Sequence, residues 1–318
     1  MSREVHVPFC EQPLGKFQRL TLLSGRPEVK YAFIRDHRDE FDVQIMCEVL
    51  IASKSGYYSW ISRDHGVKAN SLLELRIAIE KAFKDSRRTY GSPRIYRVLK
   101  GQGYIVSEDT VATLMREMGI RAKGKRRFKV CTTDSNHSFP IAANKLEQVF
   151  EADKPGEVML GDITYIPTKE GWLYLAAVLD LCSRQIIGWA MGGTIDRHLT
   201  IAALNMALRR QKPISGAIFH SDRGSQYACY DFRDQLVAYG LLQSMSRSGN
   251  CWDNAPMESF FHTLKTEFVH HEEFETRAEA KLKIFEWIES FYNRQRLHSS
   301  IGYRTPVDFC SEKMLEVA

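Results

Sequence analysis

The spacing of apolar and polar residues changes character once along the chain, near residue 157. Before that point it is helical. From Lys30 to Arg63, Phe41, Ile45, Val49 and Leu50 recur at helical spacing, and Ser53-Lys54-Ser55-Gly56 reads as a turn. Tyr57, Tyr58 and Trp60 then open a second short helix, which completes a helix–turn–helix pattern. Residues 71–86 predict a third helix with Leu72, Leu75, Ile79 and Phe83 on one face. A second helix–turn–helix candidate follows. Pro93 suits a first helical turn, where its missing N–H costs nothing. Ile95, Val98 and Leu99 face inward, Gly101-Gln102-Gly103 breaks the helix, and Ser107 caps the next one. Val111, Leu114 and Met115 pack, and Gly119 ends it. That second helix either enters a DNA groove or packs against a neighbour; Glu108 and Asp109 at its start repel phosphate.

From residue 157 the period is that of strands. Val158–Ile166, Trp172–Leu181 and Gln185–Gly192 read as three strands, followed by a helix from Asp196 to Gln211. Ala217–His220 is a fourth strand, then come a helix near 230–239, a short strand near 242–246 and a further helix. The order β-β-β-α-β-α-β-α is that of a ribonuclease-H-like fold. The expected class is therefore α/β, a mixed five-stranded core with helices, preceded by an all-α helix–turn–helix region. The expected divisions are a poorly ordered extension at 1–29, the helical region with a basic tail at 30–130 and a linker at 131–150. The ribonuclease-H-like core follows at 151–270, and a C-terminal helical segment at 271–318.

A chain of 318 residues with 44% hydrophobic and 26% charged content is that of a soluble globular protein with room for two or three domains. Its net charge of +5 is unevenly spread: Arg87 to Val130 carries twelve Lys and Arg against three Asp and Glu. Within that block Arg121, Lys123, Lys125, Arg126, Arg127 and Lys129 fall in nine residues, a run expected to track a phosphate backbone. A solvated charged surface is the plainer alternative. The seven cysteines contain no CxxC pair, which excludes zinc knuckles and fingers, and their scatter fits a reducing cytoplasm. The longest apolar run, Leu173–Leu179, is far too short to span a bilayer, and the N-terminus shows no secretory signal.

Three carboxylates stand out against this frame. Asp162 lies mid-strand among apolar neighbours, where an unpaired charge is costly. Asp222 follows the fourth strand, and Glu258, 35 residues further on, lies in the first turns of a helix capped by Asp253 or Asn254. Its helical face continues through His262 to Lys265. Singly, each has an ordinary explanation: a satisfied buried acid, a turn former, a charge at a helix start. Together they are the donor set for two magnesium ions, which drive in-line phosphoryl transfer. Asp180 and Asp196 fit a strand-end turn and a helix cap, and His220 and His262 are at most supporting neighbours.

The motifs resemble the OrfB-type transposases of the IS-three family of bacterial insertion sequences, in the DDE transposase and retroviral integrase superfamily. The matching segments are Met46-Cys47-Glu48-Val49-Leu50 with Ser55-Gly56-Tyr57-Tyr58, and Tyr90-Gly91-Ser92-Pro93-Arg94-Ile95. Gly161-Asp162-Ile163-Thr164-Tyr165, His220 to Tyr227, and Ser248 to Ala255 leading into Glu258 follow. Tyr292 to Ser299 with Thr305-Pro306 completes a match from about Lys30 to Phe309. The resemblance implies a metal-dependent enzyme that nicks the element's end to expose a 3′-hydroxyl, which then attacks another phosphodiester. It implies that Asp162, Asp222 and Glu258 hold two Mg2+ ions, with Mn2+ as a substitute, and that Lys265 is the basic residue following the glutamate. The implied partners are double-stranded DNA at element ends and target, further copies in a synaptic complex, and an upstream-frame protein or fusion. The implied setting is the bacterial cytoplasm, at the nucleoid when DNA is bound. A DNA-binding regulator with an inert core and a structure-specific nuclease are the competing readings. The intact acidic triad argues against the first, and the helical regions and basic run against the second.

Overall fold

The computed structural model describes residues 27–61, 65–123, 138–248 and 251–317. Residues 1–26, the basic residues Lys125, Arg126, Arg127 and Lys129, and residues 131–137 of the expected linker lie outside the described residues. The chain divides into two compact units, Met1–Ile77 and Ala78–Ala318.

The first unit contains helices α1 (Pro27–Asp36), α2 (Val43–Val49) and α3 (Lys54–Ile61). Asp42 caps α2 by accepting from the amides of Gln44 and Ile45. The Ser53 hydroxyl accepts from Gly56 N–H at 3.1 Å, so the expected turn at 53–56 is the capped start of α3. Ile34, Met46, Cys47, Leu50 and Tyr57 form the core of the unit. Of the residues that recur at helical spacing, Leu50 is buried, but Phe41, Ile45 and Val49 are exposed. On a seven-residue helix, Met46, Cys47 and Leu50 make a competing apolar face, and the pattern alone does not choose between them.

In helix α4 (His65–Asp85), Ile79, Ala82 and Phe83 are buried, whereas Leu72 is exposed. Helices α5 (Ser92–Gly101) and α6 (Glu108–Glu117) form the second helical pair as expected. Pro93 sits in the first turn of α5, Ser107 Oγ accepts from Thr110 N–H at 3.1 Å, and Gly119 adopts φ 67° past the end of α6. The pair is tied to the rest of its unit by distant residues. Tyr90 Oη accepts from Leu297 N–H at 2.7 Å, and Arg87 donates to Glu286 at 3.0 Å and lies over the Phe291 ring.

The sheet holds β1 (Val158–Thr168), β2 (Gly171–Asp180), β3 (Ile186–Gly192), β4 (Ile218–Ser221) and β5 (Leu242–Met245) in the order β3-β2-β1-β4-β5. The first three are antiparallel, and β4 and β5 run parallel to β1, so the sheet is mixed. Alternation along the strands feeds two cores. Met159, Ala176, Val178 and Phe219 face α7 (Arg197–Arg210) and α9 (Tyr230–Ala238). Leu160, Ile166, Leu175 and Leu179 face α10 (Ala255–Glu267) and α11 (Arg277–Glu286). Gly188 lets α7 lie close on β3, since a side chain there would meet the Ala203 carbonyl and Ala207. Asp180, expected at a strand-end turn, accepts from Gly156, Ser183 and Gln211 at 2.6–2.9 Å. Phe274, Trp287, Ile288 and Phe291 belong to the same core as α10, so the segment from residue 271 packs into the catalytic unit. Helix α8 (Ser225–Ala228), which the pattern did not predict, follows β4, and α12 (Pro306–Val317) ends the chain.

Candidate active site at the ends of two parallel strands

Asp162 and Asp222 come together through backbone register. In the parallel pair β1–β4, Gly161 lies opposite Ser221, so the next residue on each strand is one of the two aspartates. The approach is tight: a side chain at Gly161 would run into the Phe219 ring and sit 3.3 Å from the Tyr227 ring. Asp222 Oδ1 accepts from Gly224 N–H at 3.0 Å, and a side chain at Gly224 would crowd that carboxylate at 3.1 Å. Asp162 Oδ1 accepts from the Ile163 amide at 2.7 Å. Burial holds the Asp162 carboxyl well above its usual range, and the charges of Asp222 and Glu258 push it further; the Ile163 amide and Lys265 oppose them. Tyr227, fully enclosed beneath the pair, has its phenol raised by burial and by both aspartates.

Glu258 arrives on α10. Burial raises its carboxyl, although the side chain faces the surface. Neither expected cap is used. Asp253 instead accepts from the Arg247 amide at 2.7 Å, from the Arg247 guanidinium at 2.8 and 3.0 Å, from Gln148 at 2.8 Å and from Asn144 at 3.1 Å. These donors hold its carboxyl well below the usual range. Asn254 makes no cap bond; its Nδ2 donates to the Gly161 carbonyl at 3.2 Å, and so joins the start of α10 to β1 one residue before Asp162. Lys265, two turns beyond Glu258, sits 4.7 Å from the Tyr165 ring centroid and within electrostatic reach of Asp162. Among the described residues no three His, Cys, Asp or Glu side chains are gathered closely enough to hold one metal ion.

His220 turns away from the carboxylates: it is buried between Ser244 (2.8 Å) and Ser246 (3.2 Å) on the β5 side. His262 is exposed on α10. Of the basic run, Arg121 is exposed, whereas the Lys123 ammonium turns toward the Glu267 carbonyl at 3.5 Å. Glu267 is also gripped by Arg296 at 2.7 and 2.8 Å and by Arg94 at 3.6 Å, so part of the basic block neutralises the end of α10. The sequence hinted at Asn254, Gly161 and Tyr227 only by their places inside the quoted motifs.

Two matches to the Integrase core domain cover residues 152–251 and 239–306, and an HTH-like domain matches residues 71–128. The Insertion element IS600 uncharacterized 31 kDa protein of Shigella sonnei is 47% identical over 264 residues, 83% of this chain and 97% of that protein. Transposase InsF for insertion sequence IS3A of Escherichia coli (strain K12) is 42% identical over 283 residues, 88% of this chain and 98% of that one. The chain belongs to the IS3 family of DNA transposases. In this transposase the two core matches divide the site: Asp162 and Asp222 fall in the first, Glu258 and Lys265 in the second, and α5 and α6 in the HTH-like match. Looser likenesses link it to solved structures. A simian T-cell lymphotropic virus intasome in complex with PP2A regulatory subunit B56 gamma shares 14% identity at TM-score 0.43, over 73% of this chain and 74% of that one. The HTLV-2 integrase catalytic core domain in complex with magnesium shares 16% at TM-score 0.37, over 48% and 94%.

Proposed function

We propose that Asp162, Asp222 and Glu258 are the catalytic carboxylates of this transposase and hold two Mg2+ ions, with Mn2+ as a substitute. The observation that carries the reading is the β1–β4 register, which brings a buried Asp162 next to Asp222. A magnesium ion needs only one or two protein carboxylates and completes its shell with water and phosphate oxygens, so three acids can serve two ions without a closed cage. The donor set fits: hard carboxylate oxygens at the end of the parallel ladder, where burial and the neighbouring carboxylates raise the Asp162 carboxyl. When bound, the ions supply charge neutralisation at the scissile phosphate and lower the cost of forming the attacking oxyanion. The chain's own part is positional. The strand ends fix Asp162 and Asp222, α10 carries Glu258 to the open side, and Lys265 meets the DNA backbone next to the cut.

The substrates on this reading are double-stranded element ends and target DNA, and two or more copies assemble to bring two ends together. An upstream-frame protein or fusion supplies further end recognition. Arg121 extends the DNA path from the α5–α6 side, and Lys123 contributes through the end of α10. The segments 30–130, 131–150, 151–270 and 271–318 act as DNA-binding region, linker, core and C-terminal support. The test is strand transfer with a labelled duplex carrying the element's terminal repeats, comparing the wild-type chain with Asp222→Asn. Joined products that disappear in the variant support the reading. Equal product from both proteins sinks it.

A further inference from the structure

Asn254 is an unusual place for a side chain to be diverted. Asparagine at the start of a helix ordinarily accepts from a first-turn amide. Here α10 begins at Ala255, yet the Asn254 side chain makes no such bond. It is 5% exposed, and its Nδ2 reaches 93 residues back to the Gly161 carbonyl. The orientation of the amide is forced, because a carbonyl oxygen can only accept. Gly161 is the last β1 position paired with β4, so the bond is made where the parallel ladder ends and Asp162 begins to project. Glu258 lies four residues after Asn254, one turn on and on the same side of the helix. The other arm of the amide, Oδ1, is buried without a donor, which is costly in a low-dielectric setting.

We propose that Asn254 is a positioning residue that latches the Glu258 helix to the Asp162 strand and thereby sets the spacing at which a divalent cation is taken up. This rests on the carboxylate reading above. Asp253, held by Arg247, Gln148 and Asn144, lies just before the latch, and the latch ties that position to β1.

The experiment uses the full chain without DNA. Binding of Mn2+ is followed by electron paramagnetic resonance of the free ion, and thermal melting is recorded in EDTA. The proteins are wild type, Asn254→Ala, Asn254→Ser and Asp222→Asn. Serine keeps a capping hydroxyl and the helix start but is too short to reach Gly161. Both Asn254 variants are expected to bind Mn2+ about tenfold more weakly, the size of one lost hydrogen bond, with melting shifted by a few degrees at most. The metal concentration for half-maximal nicking rises by the same factor. Unchanged Mn2+ affinity in both Asn254 variants, with loss in Asp222→Asn, overturns the latch and leaves the carboxylate reading standing. A large drop in melting with unchanged metal affinity assigns Asn254 to packing and also overturns it. Binding by Asp222→Asn equal to wild type removes the reading beneath it.

Discussion

The two halves of the proposed site are built by different means. The strand half, Asp162 and Asp222, is placed by a backbone ladder in which Gly161 pairs with Ser221. The helix half, Glu258 and Lys265, is placed by side chains: Asn254 on Gly161, Asp253 on Arg247, and Glu267 gripped by Arg296 and Arg94 at the far end of α10. A ladder shares its geometry among many bonds, so single substitutions leave it in place. A helix anchored at both ends by a few buried polar groups depends on each of them. The carboxylates of the strand half should therefore affect chemistry without affecting folding, and the anchors of the helix half should affect both.

The largest effect tests the strand half. Asp222→Asn is expected to lower strand transfer by on the order of a thousandfold with little change in the unfolding midpoint, because charge stabilisation is lost and the ladder is not. A comparable loss of stability would erase the contrast. Next comes the far anchor. Arg296 is 4% exposed, and Glu267→Gln leaves it without its carboxylate, at a cost of about 3–5 kcal/mol in urea unfolding. A change below about 1 kcal/mol would show that α10 is not held there.

The same anchor has a pH signature. His298, close to Arg296, is held down to about 3 by burial, with the nearby arginines adding to the effect. The folded state keeps it neutral, while the unfolded chain takes up a proton below about pH 6.5. Stability is thus full above that pH and falls as the pH drops toward 3, by about 2 kcal/mol between pH 6.5 and 5. Chemical unfolding of wild type and His298→Gln across that window checks it; parallel curves would count against the assignment. The smallest effect concerns Lys265. Lys265→Ala should weaken DNA binding by about tenfold or less and reduce the slope of log affinity against log salt by about one. An unchanged slope would remove Lys265 from the DNA path.

Much of the fold was legible because its signals are local. The strands stand out as short apolar runs, and Pro93, Ser107 and Asp196 each mark a helix start through their own chemistry. The three carboxylates were conspicuous for the same reason, each inside a short motif. What was not legible depends on partners far along the chain. Which face of α2 turns inward was not legible, because a short helix offers two apolar faces. Arg94 and Lys123 read as parts of a basic surface, yet both turn toward Glu267, more than 140 residues away. Asn254 read as a cap, and its bond lies on another element.

By itself the sequence determined the element types, the strand-to-helix order and the identity of the acidic side chains, because periodicity, caps and desolvation cost act over a few residues. The tertiary structure alone decided that Asp162 stands beside Asp222, that half of the site hangs on buried polar anchors, and that part of the basic block is spent inside the fold. Those outcomes depend on register and on long-range pairing, where a charge is satisfied by whichever opposite group the packing brings to it.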